Sequence, residues 1–206
     1  MKDNGFRTFI YEKDDKKYMM TLITYSISPT LSGYKPATLI NVSNKYKNMY
    51  DLWCKYGKEY IKNINLEVFE IFRTDSSSIL LFYNEIFLSR VLSSKANSDF
   101  LNKFGYSRDM SLKDSLGLLK DRYYYNFCPH EMGIFLGIPL QDVKDFICKD
   151  RKECICCGYW KVYNNREYAL RIFKNYDKSK HDFMKLIEKN IGIAKAVEML
   201  SSCSRF

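Results

Sequence analysis

Cys128, His130 and Glu131 fall close together in the run Asn-Phe-Cys-Pro-His-Glu over residues 126–131. A thiol, an imidazole and a carboxylate are the groups of nucleophilic and general acid–base chemistry. Their spacing reads as a helix start. Proline suits the first helical position, where its missing N–H would be unpaired in any case. Cys128 then stands as the N-cap, His130 as the second helical residue and Glu131 as the third. Unpaired N–H groups at that end favour negative charge, which suits Glu131 and would activate a Cys128 thiolate. The catalytic candidates are therefore Cys128 as nucleophile, with His130 or Glu131 carrying the proton. Against this, neighbours on a helix stand about 100° apart around its axis, and no third orienting group can be named. The plainer reading is a helix cap beside a hydrogen-bonded histidine.

Two further segments carry groups that bind rather than react. Tyr159-Trp160-Lys161-Val162-Tyr163 is rich in strand formers. Alternation puts Trp160 and Val162 on a core face and Tyr159, Lys161 and Tyr163 on the other. That second face is either a solvated edge or the wall of a polar pocket. Ser28 to Pro36 supplies hydroxyls, Gly33 and Lys35, a combination able to hold an anion. Its spacing is not that of a P-loop, and an ordinary turn bounded by proline and glycine is the simpler account. Taken together, Thr30, Lys35, Tyr159, Lys161 and Tyr163 are the candidate ligand-binding residues, and the ligand they suit is a small anionic molecule. Cys154, Cys156 and Cys157 are dense enough to suggest a metal. Their Cys-Ile-Cys-Cys order lacks the paired spacing of the common zinc modules, and no second knuckle follows.

The order Cys-Pro-His-Glu, then Gly-x-Phe-Leu-Gly-x-Pro-Leu-x-Asp-Val-x-x-Phe-Ile, then Cys-Gly-Tyr-Trp-Lys-Val-Tyr resembles an uncharacterised domain-of-unknown-function family of clostridia and related anaerobes. Ser28-Pro29-Thr30-Leu31-Ser32-Gly33-Tyr34-Lys35-Pro36 resembles its upstream segment. The resemblance covers most of the chain and is most specific over 128–163. In that family phenylalanine can stand where Cys128 stands, which implies that Cys128 is no obligatory nucleophile. The resemblance implies no established activity, and it leaves any cofactor unknown.

These segments need elements to hold them. Asp14 or Asp15 can cap a helix over Lys17–Ile27, which Pro29 ends. Ala37–Val42 reads as a strand, and residues 6–12 as a short edge strand. Apolar residues at helical spacing mark Tyr46–Ile64, with Cys54 inside the core stripe. Leu66–Arg73 and Ile79–Tyr83 form a hairpin across Thr74–Ser78. Helices follow over Asn84–Leu92, Asp99–Phe104 and Ser111–Tyr125, where Ser111 and Asp114 approach a capping box. Tyr123, Tyr124 and Tyr125 could floor a planar-ligand pocket, but core packing is the simpler expectation. Gly137 ends the helix begun at Pro129. Pro139 opens another, with Leu140, Val143, Phe146 and Ile147 inward. Asn164 or Asn165 caps a long helix, broken near Asn190–Gly192, and a last helix covers Ile193–Leu200.

Helices and strands mixed without regular βαβ alternation predict an α+β fold: a small, mostly antiparallel sheet covered by amphipathic helices, one domain over 1–206, frayed at its ends. The 206 residues are 46% apolar and 28% charged, a globular balance with ample core. Met1–Asn4 is polar with no apolar run behind it, so no signal peptide or membrane span is expected. Seven cysteines then point to a reducing cytoplasm. The net charge of +9 raises a nucleic-acid partner. The lysines are scattered rather than blocked, which argues against one. Three functional classes stand: an enzyme, a binding or interaction module, and a metal-binding protein. Nothing in the sequence bears on oligomeric state.

Overall fold

The computed structural model describes residues 14–45, 47–126, 129–148 and 153–202. Cys128 and the expected strand over 6–12 lie outside them. The sheet is the divider of an α+β fold. Strands β1 (Ala37–Ser43), β2 (Glu67–Arg73) and β3 (Ser77–Tyr83) are all antiparallel, in the order β1-β3-β2. The central place of β3 follows from Ile79-Leu80-Leu81-Phe82, which is apolar on both faces. Leu80 and Phe82 enter one core, and Leu81 enters another. On the Leu80 side lie α1 (Asp15–Leu31), α2 (Met49–Ile61), the long α8 (Arg166–Glu188) and α9 (Ile193–Ser202). The Leu81 side is covered by α3 (Glu85–Ser93), α4 (Lys95–Leu101), α5 (Leu112–Asn126), the single turn α6 (Met132–Phe135) and α7 (Leu140–Ile147). A two-stranded hairpin, β4 (Cys156–Cys157) with β5 (Lys161–Val162), packs through Trp160 and Val162 onto Phe173 and Tyr176 of α8. No helix among the described residues is long and apolar enough to cross a membrane.

The expected caps are in place, Asp14 accepting from the Lys17 N–H and Asn165 from Tyr168, and Asn84 adds one by accepting from the Phe87 N–H. Ser111 and Asp114 exchange hydrogen bonds at the start of α5.

Five expectations need correction. Pro29 does not end α1; the helix runs on to Leu31. The stop is Gly33, at φ +72°, with the Tyr34 N–H reaching the Pro29 carbonyl and the Gly33 N–H the Thr30 carbonyl. This pairing satisfies the last carbonyls of the helix. Helix α2 is shorter than Tyr46–Ile64, and its Cys54 is exposed, with Arg73 Nη2 3.7 Å from the sulfur. Tyr124 and Tyr125 are also exposed: Tyr123 and Tyr124 both stand beside Phe72, but successive residues turn about 100° round α5 and carry the later rings towards solvent. Finally, Pro129–Glu131 is a turn and not the first turn of a helix; α6 begins at Met132.

Gly137 ends that short helix at φ +77°. A Cβ there would meet Pro36 Cδ at 2.5 Å, so the α6–α7 corner rests directly on the segment leaving α1. Gly137→Ala combines a disfavoured backbone with overlap against a rigid ring. A loss of about 2–3 kcal/mol is expected, read as a lower urea midpoint.

Candidate functional site

The α6–α7 corner and the β4–β5 hairpin enclose a cavity of about 240 Å³. Met132, Leu136, Ile138 and Val143 supply its apolar surface, and Trp160 forms a wall. His130, Tyr159 and Lys161 line it too, so three of the sequence candidates meet here from segments far apart in the chain. Phe146 joins them. It shares the α7 face of Asp142 and Val143, yet that face opens onto the cavity, which leaves Phe146 48% exposed instead of in the core. The His130 ring stands edge-on to Phe146, centroids 5.3 Å apart, and Lys161 Nζ lies 5.9 Å from the same ring. Two side chains able to carry positive charge therefore flank one aromatic ring above an apolar floor.

The hairpin is fixed to this site by Asp142, which is only 3% exposed. Its carboxylate accepts from Trp160 Nε1 at 2.8 Å, from the Tyr163 N–H at 3.0 Å and from Asn164 Nδ2 at 2.9 Å. A buried carboxylate survives where charge-assisted donors replace water in this way. Asn164 also donates to Asp145.

The other candidates are placed elsewhere. Glu131 is 1% exposed and does not line the cavity. It pairs with Arg122 Nε, and the Tyr106 hydroxyl donates to it at 3.4 Å. Burial, and then the Glu131 charge, push the Tyr106 hydroxyl far up, so it remains a neutral donor. Thr30 is buried and shares a 2.7 Å hydrogen bond with Thr38. Tyr163 is buried, with its N–H on Asp142, instead of sharing an open face with Lys161. Lys35 lies apart, its Nζ 5.5 Å from the Tyr176 ring. Cys154 and Cys157 are exposed and Cys156 half-buried, all free thiols. Among the described residues no three His, Cys, Asp or Glu side chains gather in a way that would hold a metal.

Burial first, and the charge of Lys180 second, bring the Lys35 ammonium down to about 8 from its ordinary 10.5. An unfolded chain therefore holds this proton more tightly than the folded one. Stability from this group is missing at neutral pH and is gained as pH rises from about 8 towards 10.5. Lys35→Met should accordingly be more stable than the parent at pH 7, by on the order of 2 kcal/mol, with the advantage shrinking by pH 10. Paired urea titrations across that range check it, since other alkaline titrations are common to both proteins.

Asp142, Arg122 and Lys180 were not singled out from the sequence. Asp142 had a visible signal, since it lies in the Gly-x-Pro-Leu-x-Asp-Val run. Three residues after Pro139, though, it reads as an ordinary acidic residue in a first helical turn.

An α+β fold with a sheet between two helical layers, and a small apolar cavity rimmed by His130 and Lys161, describes the class. The chain belongs to the family described as "Protein of unknown function (DUF3793)", which it matches over residues 23–197. That span runs from α1 into α9 and takes in every residue of the cavity. No curated protein and no solved structure matches the chain.

Proposed function

We propose that the protein binds a small amphipathic anion, of the size of an aryl or branched-chain carboxylate, in the His130–Lys161 cavity. One observation carries this reading: both side chains flank Phe146 at the mouth of an apolar cavity of about 240 Å³. An apolar body fits the floor, and the anionic group reaches Lys161 and His130. Binding is favoured over chemistry by the state of the carboxylates. Asp142, the acidic residue lining the cavity, is committed to Trp160, Tyr163 and Asn164, and Glu131 to Arg122. Neither is placed to orient His130 for proton transfer.

Titration calorimetry with 3-phenylpropionate and its neutral amide tests this. The carboxylate is expected to bind at least tenfold tighter than the amide. Lys161→Ala should weaken it about five- to tenfold, as for a charge-assisted hydrogen bond at an exposed rim. Equal affinities for acid and amide, or an unchanged affinity in Lys161→Ala, would remove the proposal. Consumption of the bound acid, abolished in His130→Ala, would favour an enzyme instead.

A further inference from the structure

Two lysines outside that cavity stand against one group of tyrosines, in which the Tyr159 and Tyr176 rings pack with centroids 5.0 Å apart. Lys35 lies in the turn between α1 and β1, against the ring of Tyr176. Lys180 follows Tyr176 by one turn of α8. Its Nζ is 4.7 Å from the Tyr159 ring and 5.4 Å from the Tyr25 ring. Both lysines are half-buried, and each is close enough to feel burial and its charged neighbours: Lys180 depresses Lys35, and burial depresses Lys180. Asp177 offsets Lys180 only in part, and its Oδ1 accepts the Tyr159 hydroxyl at 2.6 Å. Among the described residues neither ammonium has an ion pair or a hydrogen bond. The rings attract one side of each cation and leave its remaining protons unused.

Two partly desolvated cations set against one pair of packed rings, with Asp177 the carboxylate at hand and already accepting from Tyr159, are unfavourable in the free protein. Such a site is relieved by a ligand that brings two negative charges. A phosphate monoester carries about −1.5 to −2 at neutral pH, and lysine serves phosphate as a point charge. A single carboxylate would answer only one ammonium. Tyr159 is the exposed ring of the group and offers a face for an organic substituent. We propose that Lys35 and Lys180 together bind the phosphate group of a small phosphomonoester, whose organic part packs on Tyr159. This site differs from the His130–Lys161 cavity, although Tyr159 borders both.

The test is calorimetric titration of the intact chain with phenyl phosphate and, separately, with inorganic phosphate. Phenyl phosphate is expected to bind saturably and more tightly than inorganic phosphate. Lys35→Met and Lys180→Met, which keep the aliphatic stems, should each lower its affinity about tenfold or more. Lys161→Met should leave it within about twofold, whatever becomes of carboxylate binding in the first cavity. Circular dichroism establishes that each variant is folded. Three results overturn the proposal: no saturable heat with either phosphate, affinity retained in both lysine variants, or affinity lost in Lys161→Met alone. Inorganic phosphate binding as tightly as phenyl phosphate overturns the monoester assignment.

Discussion

Asp142→Ala should lower the free energy of unfolding by about 3–5 kcal/mol, because it orphans buried donors instead of merely deleting one carboxylate. The indole N–H of Trp160 and the backbone N–H of Tyr163 are both buried and both end on this side chain. Each left unpaired costs about 1–3 kcal/mol. Asn164 is less affected, since it keeps its bond to Asp145. Asp142→Asn should fall between, near 2 kcal/mol, because an amide oxygen keeps one donor while its own N–H₂ confronts another. Urea unfolding followed by circular dichroism gives the energy. Tryptophan emission in a Trp53→Phe background reports Trp160 alone, the chain having two tryptophans. Its emission should shift to the red in Asp142→Ala before the global transition, as the hairpin leaves α7. Tyr159 and Lys161 ride on that hairpin, so carboxylate binding should be lost in conditions where the rest of the fold persists. An unchanged midpoint and emission would mean that packing on Phe173 and Tyr176 holds the hairpin unaided.

The contrast between Asp142 and Lys161 separates what was legible in the sequence from what was not. Strand β3 could be read because its apolar run is a local property, and so could the cap at Ser111 and those placed at Asp14 or Asp15 and at Asn164 or Asn165, each of which acts within its own turn. The pairing of β3 with both neighbours follows from the same run, since a strand greasy on both faces must be central. His130 was singled out by the look of a helix start, and Tyr159 and Lys161 by alternation along a strand, both local signals. Whether side chains converge is a non-local matter, and there the pattern divides. His130 and Glu131 are adjacent in sequence but point to different places, one to the cavity and one to Arg122. Lys35 was grouped with Lys161 on charge alone, whereas the structure sets it beside Tyr176 with Lys180. Lys180 itself was invisible among many scattered lysines. Pro29 misled for a different reason: a proline is a local stop signal, but the stop is set beyond it, at Gly33 and the bonds that Gly33 and Tyr34 make back to the helix.

Arg122→Ala should cost about 3–5 kcal/mol, and Glu131→Leu only about 1–2 kcal/mol, although both break the same pair. The asymmetry comes from burial. The Glu131 side chain is 1% exposed, against 26% for Arg122. Without Arg122 the carboxylate keeps, among the described residues, only the long contact from Tyr106 and is left buried without its charged partner. Without Glu131 the guanidinium still rests near Phe104 and can swing into water. A leucine in its place fills space beside Tyr106. The double variant Arg122→Leu/Glu131→Leu should therefore recover to within about 1 kcal/mol of the parent, a strongly non-additive result. Salt should change these differences little, because the pair lies largely out of solvent. His130 adjoins Glu131 in the same turn, so Arg122→Ala should also weaken carboxylate binding, whereas Glu131→Leu should spare it. Equal losses in the two single variants would locate the stabilisation in the packing of the Pro129–Met132 turn instead of in its charge. In that case carboxylate binding should track the stability of the variants and not which of the two partners had been removed.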